Sequence, residues 1–210
     1  MHPIEVLPNA PIQNRGKFSS IFLEQGTTTF QEACHLVKAM PYGSNSVSED
    51  SLILFEEGRG TCTTKHGAIA HLAQEQTLPV HKNLGFYRLN DTIVTGVNKI
   101  LQPYGLSYIP QVHCFLSYKA NDESHRIDLT EGNCNGKNQT IDDYDFVIQV
   151  QPDPTAEEKR ACYLEHLRRY FEFSSELKAV GEEKVLDILE KCDRQTKYQC
   201  SLMSSQLINA

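Results

Sequence analysis

The chain has 210 residues, a length typical of one domain or of one domain with an appendage. Apolar residues make up 40% of it, which is enough for a packed core and too much for a disordered chain. The formal net charge of −7 argues against a nucleic-acid partner, and no apolar stretch approaches the ~20 residues of a membrane span.

The seven cysteines bear on the cellular compartment. No two of them form a CxxC pair, which argues against a zinc ribbon and a thioredoxin-like site. Cys34, Cys114 and Cys162 lie in segments of apolar pattern, as buried reduced thiols do. The first residues lack the basic and apolar regions of a secretory signal. We therefore predict a cytoplasmic protein that uses no cofactor and no metal.

Hydrophobic periodicity divides the chain into three parts. Residues 1–27 are rich in Pro, Asn and Gly and predict an extended arm; residues 28–152 predict a core of helices and strands, and residues 153–210 a helical appendage. Within the core the pattern predicts helices at about 30–40, 62–74 and 92–101 and strands at about 79–87, 108–118, 126–130 and 146–150. Helices before and after a group of strands indicate an α+β fold, with the second helix packed on an antiparallel sheet.

The segment Gly58-Arg59-Gly60-Thr61-Cys62 is the most informative in the chain. Its glycines permit a tight path into the helix, and Thr61 is a good N-cap residue. Cys62 then lies in the first turn, where unpaired N–H groups and the helix dipole favour an anion. We expect a lowered thiol pKa and a nucleophilic thiolate. A buried structural cysteine at a helix start is the alternative.

The helix carries a histidine one turn after this cysteine. Cys62, His66 and Ile69 share a stripe that continues to Leu72 and Ala73 and is expected to face the core. His66 is a possible accessory base, although a packed and hydrogen-bonded imidazole is the more ordinary role at that depth.

Two later segments alternate as strands do and predict a hairpin around the polar residues 119–125. A turn centred on residues 120 and 121 places His113 directly opposite Asp128, with their Cβ atoms about 5 Å apart. A carboxylate there would fix the tautomer of the imidazole and leave its other nitrogen for a thiol. An exposed cross-strand pair with no chemical role is the alternative. Gln111, on the same strand face as His113, is a possible oxyanion donor.

Gly60-Thr61-Cys62 at a helix start, Val112-His113 on a strand and Ile127-Asp128-Leu129 on the next resemble the transglutaminase-like superfamily of the papain-type cysteine-protease fold. The resemblance covers about residues 28–150 and implies that the core of residues 28–152 is a transglutaminase-like catalytic core. It implies that Cys62 is the nucleophile, His113 the base and acid, and Asp128 the orienting group. The chain departs from many transglutaminases in having no Trp, and it lacks the Arg-Gly-Gly-x-Cys sequence of arylamine N-acetyltransferases.

These residues predict a cysteine-dependent hydrolase or acyltransferase, a protease or amidase, that forms an acyl-thioester on Cys62. Its substrate would be a peptide, a protein or a small amide or ester. A catalytically silent transglutaminase-like binding domain is the main alternative. A zinc site made of Cys62, His66, His113 and Asp128 is a third, although a thiol followed four residues later by a histidine is not a compact structural-zinc spacing.

Overall fold

The computed structural model describes residues 3–130 and 143–207, and side chains of the last helix through residue 196. The described residues form a mixed α and β structure with a four-stranded antiparallel sheet of order β3-β2-β1-β4, so the predicted α+β class is confirmed. The helices are α1 (Lys17–Glu24), α2 (Phe30–Ala39), α3 (Ile53–Glu57), α4 (Cys62–Gln76), α5 (Val97–Leu101), α6 (Ala156–Phe173), α7 (Ser175–Val180) and α8 (Glu182–Leu207). The strands are β1 (Val80–Leu89), β2 (Ile109–Ala120), β3 (Glu123–Ile127) and β4 (Phe146–Gln149).

The described residues fall into two compact units, each made of separate stretches of chain. The first comprises those of Met1–Leu84, His113–Thr130 and Ile148–Pro154, and the second those of Gly85–Val112, Glu131–Val147 and Thr155–Ala210. These units follow other boundaries than the predicted divisions after residues 27 and 152. All candidate site residues except Gln111 belong to the first unit.

The prediction of an extended arm over residues 1–27 is wrong. The arm contains a 3₁₀ turn at Pro3–Val6 and helix α1, and Phe18 and Phe22 are buried in the core of the first unit. Glu75 of α4 explains why α1 begins where it does, because its carboxylate accepts hydrogen bonds from the backbone N–H groups of Phe18 at 3.0 Å and Ser19 at 2.6 Å. A cap supplied from so far along the chain has no local signature in the sequence.

Helix α4 is the central element of the first unit. It is buried on more faces than the predicted stripe, since Thr64 to Ala70 are all buried along with Leu72 and Ala73. Helix α2 begins as predicted, after its N-cap residue Thr29. The Thr29 hydroxyl accepts a hydrogen bond from the N–H of Glu32, and the Glu32 carboxylate accepts one from the N–H of Thr29 at 3.0 Å. A helix surrounded in this way is held in place by all its neighbours, so its first turn is well fixed.

The hairpin of β2 and β3 forms, but its predicted register is wrong by two residues. Leu116 is paired with Ile127, and the two turn residues are Asn121 and Asp122, with φ of 48° and 66°. Positive φ at both positions is typical of the tight turns that join hairpin strands, and it moves the turn one residue along the chain. Strand β3 therefore ends before Asp128.

The second unit is largely helical. Its α6 packs on β1 through the stacked rings of His166 and Phe86, whose centroids are 4.8 Å apart. The predicted helix over residues 92–101 is shorter than expected, because it begins only at Val97, after Gly96 in a left-handed conformation with φ of 92°. Among the described residues, no helix combines the length and the apolar character that a membrane crossing requires.

Candidate active site

The approach to Cys62 depends on two glycines that serve different purposes. Gly58 ends α3 in a left-handed conformation, with φ of 63°. Gly60 is needed for space, because a Cβ atom there would lie 2.6 Å from the side chains of both Leu54 and Thr64. Thr61 follows in extended conformation as the N-cap residue of α4, as predicted, and Cys62 is the first residue of the helix.

Asn45, a residue that the sequence analysis did not identify, connects the loop before Cys62 to helix α4. Its amide Nδ2 donates to the carbonyl of Arg59 at 2.8 Å, and its Oδ1 accepts from the hydroxyl of Thr64 at 2.8 Å. The same Thr64 hydroxyl accepts from the N–H of Thr61 at 3.1 Å. Loop and helix are thus joined on both sides of Cys62.

Two buried lysines anchor α4 to its surroundings. The Nζ of Lys82 on β1 donates to the carbonyl of Thr63 at 2.9 Å, directly after Cys62. The Nζ of Lys65 donates to the carbonyl of Met40, the C-cap residue of α2, at 2.5 Å. Burial lowers the pKa of Lys65 to about 8. Both ammonium groups donate to backbone carbonyls. These hydrogen bonds replace those that the ammonium groups would make with water, so the lysines can be buried beside α4.

His113 and Asp128 are joined even though the predicted register was wrong. The distance from Nε2 of His113 to Oδ2 of Asp128 is 2.8 Å. Side chains alternate along a strand, so a shift of two residues keeps both on the same side, and a side chain just beyond the end of β3 can still reach His113. The other oxygen of Asp128 accepts from the N–H of Thr130 at 2.8 Å and from its hydroxyl at 2.6 Å.

The positive charge of His113 and the negative charge of Asp128 stabilise each other. Burial acts to raise the pKa of Asp128, but the imidazole of His113 and the hydrogen bonds of Thr130 outweigh it and hold that pKa well below its usual range. Burial acts to lower the pKa of His113, but the charge of Asp128 and the nearby Cys62 sulfur raise it to about 9. An imidazolium–carboxylate pair at neutral pH follows from these two shifts.

The thiol of Cys62 is hydrogen-bonded to two side chains, those of Cys114 and His113. Because Nε2 of His113 is bonded to Asp128, Nδ1 is the ring nitrogen that can face the sulfur. Cys114 also lies against the start of α4, with its sulfur 3.8 Å from the Thr63 hydroxyl. The structure therefore brings Cys62, His113 and Asp128 together in that order.

The expected lowering of the thiol pKa is wrong. The hydrogen bond with Cys114, followed by burial, raises the pKa of Cys62 to about 12, and the opposing influence of His113 is smaller. At neutral pH the resting site thus holds a thiol beside an imidazolium. One proton must leave the pair before His113 can accept the thiol proton.

His66 is placed beside the site, but its imidazole is not available as a base. Its Nδ1 lies 2.7 Å from the carbonyl of Cys62, which can only accept, and its Nε2 accepts from the N–H of Leu129 at 2.8 Å. Burial lowers the pKa of His66 to about 3, consistent with a neutral ring. Its Nε2 is also 3.5 Å from Asp128, but an unprotonated nitrogen makes no ion pair there.

The same contacts bear on the zinc alternative. A ring whose two nitrogens are both bonded to backbone groups has no lone pair free for a metal. Among the side chains described, those of residues 3–130 and 143–196, no group of three or more His, Cys, Asp or Glu has an arrangement that could hold a metal ion.

Gln111 does not serve the site in the predicted way. Its Nε2 donates to Asp193 at 2.5 Å and its Oε1 accepts from the N–H of Val112 at 2.7 Å, all within the second unit. Its amide is held by these two partners, so the prediction of an oxyanion donor at this position is wrong. The partner Asp193 lies far along the chain, and strand alternation alone does not reveal it.

The chain matches no protein-family model, and no curated protein or solved structure matches it either. The likeness to transglutaminase-like proteins therefore remains a resemblance of local residues and of their order.

The first prediction concerns the pH dependence of thiol reactivity. The rate of Cys62 alkylation by iodoacetamide should rise with pH through a midpoint near 9, because the pair must lose the proton that keeps His113 charged. Asp128→Asn removes the charge that raises the pKa of His113, so the midpoint should move to lower pH. Peptide-resolved mass spectrometry measures both profiles.

Cys162 on α6 provides an internal reference in the same samples. It is a half-buried free thiol outside the first unit, and its profile should be the same in both proteins. An unchanged Cys62 midpoint in Asp128→Asn would contradict the coupling of the carboxylate to the thiol through His113.

The second prediction concerns Cys114. Cys114→Ala removes the hydrogen bond that raises the pKa of Cys62, so Cys62 should become more reactive at neutral pH, by roughly tenfold for each unit by which its pKa falls. Cys34→Ala is the matched control, since it also removes a buried thiol from the first unit. Equal Cys62 alkylation rates in the two variants would show that Cys114 does not hold the thiol in its protonated form.

Proposed function

We propose that this protein is a cysteine-dependent hydrolase or acyltransferase that acts on an amide or ester through an acyl-thioester on Cys62. One observation carries the proposal: His113 is bonded on one side to the Asp128 carboxylate at 2.8 Å and on the other to the Cys62 thiol. A scaffold has no need of a nucleophile, a base and an orienting carboxylate joined in series.

The chemistry would proceed in two steps. Once the imidazolium of His113 has released its proton from Nδ1 to solvent, that nitrogen takes the thiol proton as the sulfur of Cys62 attacks the carbonyl carbon of the substrate. The tetrahedral intermediate then collapses to an acyl-thioester, and His113 returns the proton to the departing amine or alcohol. Water or an amine next attacks the thioester, again with His113 as base, and the thiol is restored. Asp128 remains ionised and stabilises the imidazolium throughout.

The first turn of α4 would stabilise the oxyanion. Its leading N–H groups are too close to the helix start to have partners within the helix, and Cys62 is the first residue of that turn. One such donor is worth roughly 3 kcal/mol in acyl transfer. The contacts of Asn45 and Lys82 with this turn keep its geometry fixed, which is what a preorganised site requires.

A papain-like or transglutaminase-like core is the architecture we propose for this site. Its support is the order Cys62, His113 and Asp128, with the thiol at a helix start, the imidazole on β2 and the carboxylate just beyond β3. Cys62 and Asp128 are half-buried residues, so the site reaches the surface, where a peptide, a protein or a small amide or ester would approach it. A cytoplasmic location suits a free thiol nucleophile.

A catalytically silent binding domain is the second candidate. It is favoured by the raised pKa of Cys62, because a thiol that remains protonated is a poor nucleophile. The two candidates differ in one property: only the enzyme forms a covalent acyl intermediate.

The third prediction compares variants with an activated ester as acyl donor. Cys62→Ala should abolish acyl-enzyme formation, since it removes the thiol that is bonded to His113. Asp128→Asn should lower turnover on the order of 10–10³-fold, and His113→Ala should lower it further because the base itself is lost.

His71→Ala is the matched control for the histidine variant. His71 lies on the same helix as Cys62, but its imidazole is bonded to Asp153 at 2.9 Å, away from the thiol. Its loss should leave turnover near the wild-type value. Full turnover in Cys62→Ala would reject the enzyme and leave the binding domain as the better account.

A further inference from the structure

His66 is fully buried and bonded to both parts of the chain that carry the candidate site. Through Nδ1 it donates to the carbonyl of Cys62, and through Nε2 it accepts from the N–H of Leu129, the residue after Asp128. These contacts are 2.7 Å and 2.8 Å long. The ring therefore joins the helix turn of the thiol directly to the loop of the carboxylate.

The partners decide the tautomer of His66. A carbonyl oxygen has no proton to give, so Nδ1 must carry one; a backbone N–H must donate, so Nε2 must carry none. Protonation of the ring would break the bond to Leu129 and bring a second positive charge close to His113, whose ring centroid is 6.3 Å away. The neutral ring with the proton on Nδ1 is the only form that keeps both bonds.

We propose that His66 is a positioning residue, which fixes the Asp128 loop against the first turn of α4 so that Asp128 meets His113. Strand β3 ends at Ile127, so Asp128 has no ladder partner to hold its backbone. The bond from Leu129 to His66 takes the place of a ladder bond at this point. This role rests on the proposed function, because it matters only if Asp128 serves His113.

Three variants separate the two bonds of His66. His66→Asn keeps a donor near Nδ1 but is too short to reach Leu129. His66→Gln places an oxygen near Nε2 and keeps the acceptor for Leu129. His66→Phe keeps the bulk of the ring and loses both bonds. If His66 acts through Asp128, the Asn and Phe variants should lower the midpoint of the Cys62 alkylation profile, as Asp128→Asn does, and the Gln variant should stay close to wild type.

The double variant His66→Asn/Asp128→Asn tests whether both residues act along one route. Its midpoint should be no lower than that of Asp128→Asn alone, because the carboxylate through which His66 acts is already gone. Loss of thermal stability with an unchanged midpoint would overturn the proposal and leave His66 as a packing residue. Additive shifts in the double variant would also overturn it.

The wild-type protein gives a test that does not depend on how the variants fold. Long-range ¹H–¹⁵N spectra of the histidine rings should show His66 protonated on Nδ1 and unprotonated on Nε2 from about pH 5 to 9, because burial lowers the pKa of His66 to about 3. A proton on Nε2, or titration in that range, would overturn the proposal.

Acylation by an activated ester tests the proposed function separately from the positioning role of His66. If the wild-type protein is not acylated by an activated ester while the alkylation midpoints follow the expected order, the enzyme proposal fails and the positioning role stands. If acylation occurs and His66→Asn leaves the midpoint unchanged, only the positioning role fails.

Discussion

The bond between His113 and Asp128 is the interaction on which the rest of the site depends. His113 is buried and Asp128 is half-buried, so the imidazolium is favourable only while it stays in contact with the carboxylate. Thr130 holds one oxygen of Asp128 and leaves the other for His113. The neighbouring cysteine then meets an imidazole whose orientation is already set.

Proton number is the second constraint on this site. Cys114 and burial keep the Cys62 thiol protonated, and Asp128 keeps His113 protonated, so the resting pair holds one proton more than the reactive form. A substrate or a rise in pH must remove it. This arrangement lowers the rate of nonspecific alkylation and oxidation of the Cys62 thiol at neutral pH. The reactivity of the thiol then depends on the loss of one proton from the Cys62–His113 pair.

The sequence was sufficient where the signals were local. The glycines before Cys62, the Thr61 cap and the strand alternation around His113 all led to the right elements. The predicted register of the hairpin was wrong because the turn has positive φ at Asn121 and Asp122. Neither residue is a glycine, the residue that would indicate such a turn in the sequence. The period of two along a strand explains why His113 and Asp128 were nonetheless correctly placed together.

Contacts between distant parts of the chain could not be predicted. Helix α1 depends on Glu75, and the fixed position of Cys62 depends on Asn45 and Lys82. The raised pKa of the Cys62 thiol also depends on a distant residue. The sequence pattern around Cys114 is that of an ordinary core cysteine, and only the fold places Cys114 against Cys62. The start of a helix by itself lowers a thiol pKa, and only the folded chain adds neighbours that raise it.

The proposed function requires that Cys62 forms an acyl-thioester with the help of His113. The most direct measurement is peptide mapping by mass spectrometry after brief treatment with a p-nitrophenyl ester, above and below pH 9, followed by hydroxylamine to distinguish thioesters from amides. Our account predicts one hydroxylamine-sensitive acyl group, on Cys62, that accumulates faster at the higher pH and is lost in His113→Ala. Acyl groups spread over several cysteines, or equal acylation of Cys62 in His113→Ala, would contradict it.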